Sequence, residues 1–397
     1  MKTKKVIVGL SGGVDSAVAA YVLREQGYDV HAVFMINWHD TTGLLSGGCE
    51  NDEDQKVAEL VAKQLDIPFE KVDFSEIYAK KVVDYMFSEY EKGRTPNPDV
   101  LCNREIKFDV FLDKAMELNA DFVATGHYCR KETITTNDKT YYRLLAGSDN
   151  NKDQSYFLCQ LSQSQLEKAL FPIGDVEKPE VRRIADEISL INAKKKDSQG
   201  ICFVGKVDLP TFLQQQLKAQ TGDIIKIPET HPQYNVSEPT GNAEIDLLKH
   251  QSRPYIYKPE DGEKVGEHDG AHFFTIGQRK GLGIGGMKQP PFVIETDTIN
   301  NIIYIGEGKK HPGLFRKGLF ISKEELHWIR PDLELKTGEV LETDARIRYR
   351  QPLQKAKLHM KTNAAYLIFD EKQRGITSGQ FAAFYIGDEL IGSGVIA

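Results

Sequence analysis

No apolar run among the 397 residues approaches the length of a membrane span, which excludes a chain built from transmembrane helices. Cysteine is sparse. Cys49, Cys102, Cys129, Cys159 and Cys202 show no C-x-x-C pairing, so their spacing does not describe a zinc site. Neither sign of charge dominates: 51 Lys and Arg stand against 58 Asp and Glu, a net charge of −7. That balance is a weak argument against a nucleic-acid partner, because net charge says little about local fields. No fixed-period repeat and no low-complexity tract is present, so solenoid and disordered classes drop out. Met1-Lys2-Thr3-Lys4-Lys5 runs straight into the first apolar segment with no room for a signal peptide, and a cytoplasmic location is expected. In that compartment a permanent disulfide framework is not expected. The cysteines are then either inert buried thiols or reactive ones.

What is present is a length too great for one ordinary core, so two or three domains are expected. The first half alternates short buried-strand patterns with helical ones. Strands are expected at Lys5–Leu10, Asp29–Ile36, Phe69–Asp73 and Asp121–Thr125. Helices are expected at Ala17–Gln26, Asp52–Leu65, Ser75–Glu91, Lys107–Leu118, Leu161–Leu170 and Lys178–Ser189. This order specifies an α/β fold, a doubly wound parallel sheet with ligands at the strand carboxyl ends. Beyond Gln216 the texture changes to β-type runs separated by Gly, Pro, Asn and Asp. Among them are Asp223–Ile227, His272–Thr275, Phe292–Asp297, Thr343–Tyr349 and Gln380–Ile386. Two small β-rich, barrel-like domains are expected there, giving units at 1–205, 206–288 and 289–397, with an inserted stretch near 228–259. Basic residues gather at Lys194-Lys195-Lys196 and from Arg346 through Arg348, Arg350, Lys355, Lys357 and Lys361, leaving room for an RNA-binding surface.

Chemistry enters at Ser11-Gly12-Gly13-Val14-Asp15-Ser16, between the apolar run ending at Gly9-Leu10 and a helical pattern. A glycine turn at a helix start aims N–H groups and a positive dipole end at an anion. There is no lysine after Gly13, so this is not a Walker loop, and the G-x-G-x-x-G dinucleotide pattern is missing. The hexamer resembles the S-G-G-x-D-S loop of the PP-loop ATP pyrophosphatases. Those enzymes cleave ATP between the α and β phosphates and transfer AMP to a carbonyl-type oxygen. In the segment Thr95-Pro96-Asn97-Pro98-Asp99-Val100-Leu101-Cys102-Asn103-Arg104, two prolines fix an extended loop and a helix is expected from about Asn103. Cys102 would then lie at a helix N-terminus, which favours thiolate. Asp99 would be one step away and able to exchange a proton with a reacting group.

With the loop, this segment resembles the tRNA-specific 2-thiouridylases. The likeness continues through Ala124-Thr125-Gly126-His127-Tyr128, Lys152-Asp153-Gln154-Ser155, Lys196-Asp197-Ser198-Gln199-Gly200-Ile201-Cys202, Phe274–Gly283, Arg348-Tyr349 and Ser378-Gly379-Gln380. It therefore spans nearly the whole chain. Departures are a stretch at 228–259 longer than the central domain needs and Ser378 where proline is commoner. The resemblance implies ATP with Mg²⁺, no tightly bound metal, a tRNA substrate, a sulfur-donor partner and no membrane partner. Gly9, Leu10, Ser11, Gly12, Gly13, Val14, Asp15 and Ser16 would hold the phosphates, with Met35 and Gly126 on the adenosine. Asn97, Pro98 and Asp99 would meet the target base, with Asp99 as acid/base. Cys202 would carry a persulfide and Cys102 would release its sulfur by forming a transient disulfide with Cys202. His127, Lys152, Asp153, Gln154, Arg348, Tyr349 and Gln380 match tRNA contacts. Cys49, Cys129 and Cys159 remain structural or incidental. Two rival readings stay open: an amide-forming PP-loop synthetase, which gives Cys202 no task, and an inactive RNA-binding protein on the same fold.

Overall fold

The computed structural model describes residues 3–39, 50–197, 209–214, 216–239 and 244–397. Among the described residues the strands gather into three sheets.

The first sheet is parallel and contains β1 (Lys5–Gly9), β2 (Asp29–Ile36), β3 (Phe69–Asp73) and β4 (Phe122–Ala124). Its edge is completed by a short strand, Ala169–Leu170, so the order runs β3-β2-β1-β4 and then that edge. β1, β2 and β4, rich in Val, Ile and Ala, are largely buried on both faces, as the inner strands of a parallel sheet are, while β3 at the edge exposes Glu70 and Lys71. The chain winds outward from β1 to β3 and then crosses to the other side as β4. The switch point therefore falls between the carboxyl ends of β1 and β4, where such sheets bind ligands. The helix expected at Leu161–Leu170 stops at Lys168, because Ala169 and Leu170 pair with Val123 and Ala124 instead of extending it.

A hairpin leaves this unit between β4 and the edge strand. Cys129–Thr136 (β5) and Lys139–Ala146 (β6) turn at Asn137 and Asp138, both left-handed at φ 50° and 58°. Such a pair at the tip of a two-residue turn matches the twist of the flanking strands. β6 then joins the C-terminal sheet through Leu144 and Leu145 against Leu390 and Glu389. The hairpin lies within 1–205 in sequence yet extends one end of the sheet formed by the C-terminal part of the chain.

The central sheet has Gly222–Lys226 and Glu263–His268 beside Pro291–Asp297 and Ile302–Glu307. Ile302–Ile305 pairs in parallel with Asp223–Lys226, so the hairpin after residue 288, grouped by texture with the C-terminal unit, belongs to the central sheet. The strand expected at His272–Thr275 is a single tight turn, Ala271–Phe273, entered through Gly270 at φ 147°. Part of the inserted stretch forms a helix, Glu244–Ser252, that packs on strands Phe315–Ser322 and Ala364–Arg374 of the C-terminal sheet. That last sheet closes around Leu319, Leu358, Leu367, Phe384 and Ile391.

A continuous core joins the units. Ile7, Met35, Cys102, Phe111 and Phe212 share it with Tyr156, Phe381, Tyr385 and Leu390. The parallel sheet and the C-terminal barrel are thus packed on one another through shared apolar contacts.

Candidate active site

β1 ends at Gly9, and helix α1 (Val14–Glu25) starts immediately after the loop. Leu10 and Val14 are buried, which leaves main chain and hydroxyls to face outward. Gly13 is the N-cap, with extended φ/ψ and no side-chain cap, so the first N–H groups of α1 are left for another acceptor. Ser16 Oγ donates to Gly13 O at 3.1 Å and accepts from Ser11 N at 3.1 Å, tying the loop into a closed ring. Gly12 has φ 76°, and a Cβ there would lie 2.4 Å from Asp54 O. Only glycine fits. A Cβ on Gly126, in the loop after β4, would fall 2.7 Å from Ser16 N, so the two loops flanking the switch point touch through bare backbone. Met35 closes the end of β2, its Cε 3.1 Å from where a Gly9 Cβ would be. All ten residues expected around the nucleotide are therefore drawn to one sheet edge. Uncapped N–H groups and glycine clearance at that edge suit a polyphosphate.

Side chains given no nucleotide role from the sequence support this loop. Lys178 Nζ donates to Asp15 Oδ1 at 2.7 Å and Oδ2 at 2.9 Å, and contacts Asp197 Oδ1 at 2.7 Å. Tyr128 donates to Asp15 Oδ1 at 2.7 Å, and burial together with that carboxylate pushes its phenol well above the ordinary range. Asn192 Nδ2 donates to Gly12 O at 3.0 Å, and Lys195 pairs with Asp54. Lys178 carried a signal. A lysine in the first turn of a helix opposes the macrodipole unless an acid holds it elsewhere.

The second half of the site starts at Asn97. Its Oδ1 accepts from Val100 N at 3.3 Å and Pro98 occupies the first helical position, so the helix begins at Pro98 and not near Asn103. Asp99, half-buried, therefore sits in the first turn. Cys102 is one turn further in and fully buried, where Pro98–Leu101 passes into the wider-wound Cys102–Val110. The dipole argument made for the Cys102 thiolate thus applies to Asp99 instead. Asn103 Nδ2 bridges Asp99 O at 3.0 Å and Phe157 O at 3.2 Å. Residues 155–158 connect this helix to the nucleotide edge, because Gln154 Oε1 accepts from Tyr128 N at 3.0 Å. Cys202 and Cys49 lie outside the described residues.

Cys129 and Cys159 are buried where a thiol stays protonated. Burial pushes the Cys159 thiol up to about 12, and burial with nearby Asp153 pushes Cys129 well above its usual value. Both are inert at neutral pH.

Residues 4–206 match the profile described as tRNA methyl transferase HUP domain, 246–307 the PRC-barrel domain of the same series and 319–396 the aminomethyltransferase beta-barrel domain. The tRNA-specific 2-thiouridylase MnmA of Flavobacterium johnsoniae is 60% identical over 99% of this chain and 100% of that protein. The chain belongs to the tRNA-specific 2-thiouridylase family. The same-named protein of Streptococcus agalactiae is 46% identical over 99% of this chain and 95% of its own. Among solved structures, NMN synthetase from Francisella tularensis matches 53% of this chain and 72% of its own at 15% identity and TM-score 0.32. A 4-thiouridine synthetase–RNA complex with bound ATP matches 54% of this chain and 50% of its own at 16% identity and TM-score 0.32.

The positions that resemble the 2-thiouridylases' tRNA contacts are not all on the surface. His127 is 8% exposed, its Nδ1 2.7 Å from Thr125 Oγ1 and its ring against Phe108 and Phe171. Burial, helped by Lys107, holds it well below the ordinary histidine value and so neutral. Asp153, 6% exposed, accepts from Gly147 N and Ser155 N and pairs with buried Arg346 at 2.7 Å. These two face the interior, because a buried carboxylate needs partners on every side. Lys152 reaches Asp197 at 2.6 Å. Arg348 is exposed, while Tyr349 packs on Phe157 with ring centroids 4.4 Å apart and has the Arg350 guanidinium carbon 5.3 Å from its ring centroid. Gln380 turns toward the Asn97 loop. Much of the basic cluster is also offset in place: Lys355 pairs with Asp344 at 2.8 Å, Lys357 with Glu342 at 3.2 Å and Lys361 with Glu244 at 2.8 Å.

Proposed function

We propose that this protein exchanges the 2-oxygen of a tRNA wobble uridine for sulfur, using ATP with Mg²⁺. The loop Ser11–Ser16, with Met35 and Gly126, holds the nucleotide, and the uncapped start of α1 receives its phosphates. Uracil O2 is a poor leaving group, so adenylation with release of pyrophosphate must precede displacement. Asn97, Pro98 and Asp99 seat the base, and Asp99 exchanges the proton. The terminal sulfur of a Cys202 persulfide attacks C2. The Cys102 thiolate then attacks Cys202 Sγ, forming the Cys102–Cys202 disulfide and leaving the sulfur on C2 as AMP departs. A dithiol reductant restores both thiols, and a sulfur-donor protein reloads Cys202.

RNA contact falls to Lys152, Arg348 and Tyr349, with His127, Asp153, Gln154 and Gln380 arranging the surfaces beneath. The observation that carries the reading is the single core in which Met35 at the nucleotide edge and Cys102 below Asp99 pack together. An amide-forming synthetase needs the first half of that arrangement but has no use for a thiol beside the second.

Mass spectrometry of tRNA incubated with the protein, ATP, Mg²⁺ and a persulfide donor should show one oxygen replaced by sulfur at the wobble position. Cys202→Ser should release pyrophosphate yet leave no thiolated uridine. Unmodified tRNA with the intact protein would remove the reading, and full thiolation by Cys202→Ser would remove the persulfide assignment.

A further inference from the structure

The Thr95–Asn97 loop is held by one side chain from the far end of the chain. Gln380 Nε2 donates to Thr95 O at 2.8 Å and to Pro96 O at 3.0 Å, and Gln380 Oε1 accepts from Asn97 Nδ2 at 3.4 Å. A primary amide has two N–H donors, and both are committed here. The loop needs them. Pro96 and Pro98 have no N–H, so the loop does not zip onto the barrel edge as a strand would. Thr95 N does reach Ser378 O, at 2.9 Å, leaving the carbonyls of Thr95 and Pro96 in want of donors. Gly379, at φ 87°, allows the approach: a Cβ there would lie 3.0 Å from both Thr95 N and Thr95 O.

The same loop is pinned from the central sheet. Thr275 Oγ1 is 3.3 Å from Thr95 Oγ1, and a Cβ on Gly93 would meet Thr298 Oγ1 at 2.8 Å. Below it, Arg94 pairs with Glu89, which is 1% exposed. Residues 93–97 are thus gripped by both β-rich units. Asn97 passes this grip onward, since its amide nitrogen meets Gln380 while its amide oxygen caps Val100 N. The turn so capped carries Asp99 and leads directly into Cys102.

We propose that Gln380 is a positioning residue for the sulfur-transfer site. It acts through Thr95, Pro96 and Asn97 to fix the helical turn of Asp99 and Cys102, and makes the C-terminal barrel part of the transfer geometry. This rests on the thiolation reading and gives Gln380 a task beyond the tRNA contact that resemblance implied for it. Gln380→Glu keeps the shape and removes both donors; Gln380→Asn keeps the amide and shortens its reach.

In single-turnover thiolation at saturating tRNA, both variants should lose at least tenfold in rate. The Kd for tRNA by filter binding should stay within about threefold, and ATP binding by equilibrium dialysis without tRNA should be unchanged. Hydrogen exchange should speed up at Val100 and its neighbours while Phe381–Ile386 stays protected. A rise in Kd with an unchanged saturated rate would make Gln380 an RNA contact and overturn the proposal. Unchanged rate and exchange would overturn it equally. Failure of the underlying thiolation reading is separate, since the unsubstituted protein would then give no thiouridine.

Discussion

Lys178 grips Asp15 with one ammonium that meets both carboxylate oxygens, at 2.7 and 2.9 Å, and the same nitrogen lies 2.7 Å from Asp197. One cation thus joins the nucleotide loop to the segment that leads toward Cys202. Lys178 is 9% exposed, so its charge is shielded from solvent and depends on both acids.

Lys178→Met should take the ammonium away from Asp15, while Asp197 keeps Lys152 at 2.6 Å and Arg182 at 2.9 Å. Burial raises the Asp197 carboxyl, but hydrogen bonds from Lys152 and Lys178 outweigh it and bring the group down to about 2. Its stabilising contribution is present above about pH 4 and is lost as pH falls toward 2. In Lys178→Met that contribution should be smaller and its loss complete at a higher pH. Chemical denaturation near neutral pH should show a loss of about 1–3 kcal/mol. Adding Asp197→Asn should recover part of it, and an unchanged denaturation midpoint would show the pair to be energetically idle.

Gly12 and Gly13 should respond differently to alanine. At Gly12 the new Cβ meets Asp54 O at 2.4 Å with φ at 76°, whereas at Gly13 the nearest atom is Ser11 Oγ at 3.4 Å. Gly12→Ala should cost about 1–3 kcal/mol of stability as well as pyrophosphate release. Gly13→Ala should keep the melting temperature and lose pyrophosphate release alone, because the methyl group occupies the phosphate's approach. Equal melting temperatures for the two variants would contradict this account.

The parallel sheet was legible because each of its long strands and helices carries its own periodicity. The Ser11–Ser16 loop was legible because glycine and hydroxyl spacing is itself the geometry. Ala169–Leu170 was not, since two residues have no period and become a strand only by pairing with Val123–Ala124. The helix start at Pro98 was signalled by Asn97 as cap and Pro98 at the first turn, but two prolines also describe a loop. The burial of His127 and Asp153, which match tRNA contacts by resemblance, was not legible because polarity in sequence does not reveal a buried partner. Arg346, the partner of Asp153, lies 193 residues away. The ion pairing of the lysines on strand Gln354–Met360 was not legible, since only cross-strand register puts Glu342 opposite Lys357 and Asp344 opposite Lys355.

Cys129 and Cys159 should resist alkylation. With Cys159 pushed up to about 12 by burial and Cys129 raised well above normal, native protein at pH 8 should leave both unmodified by iodoacetamide. Peptide mapping after denaturation should find both fully modified. Labelling in the native state at the rate of a free thiol would show that the shared core opens on the timescale of the reaction.

Glu295 should make the protein less stable as pH rises. Its half-buried carboxyl borders a cavity of about 380 Å³ between the Gly93–Thr95 loop and the two β-rich units, with Arg316 in the same wall. Burial pushes it up to about 7, against the opposing pull of the Thr296 N–H and of Arg316. A carboxyl whose folded value is raised binds more protons when folded. Stability is therefore highest below its ordinary value near 4.5 and falls as pH climbs to about 7, where the ionised group must be accommodated. Glu295→Gln removes that ionisation. The variant should match the parent near pH 5 and exceed it by about 1–2 kcal/mol at pH 8 in urea denaturation. Coincident stability curves from pH 5 to 8 would mean that Arg316 already neutralises Glu295 in the folded protein.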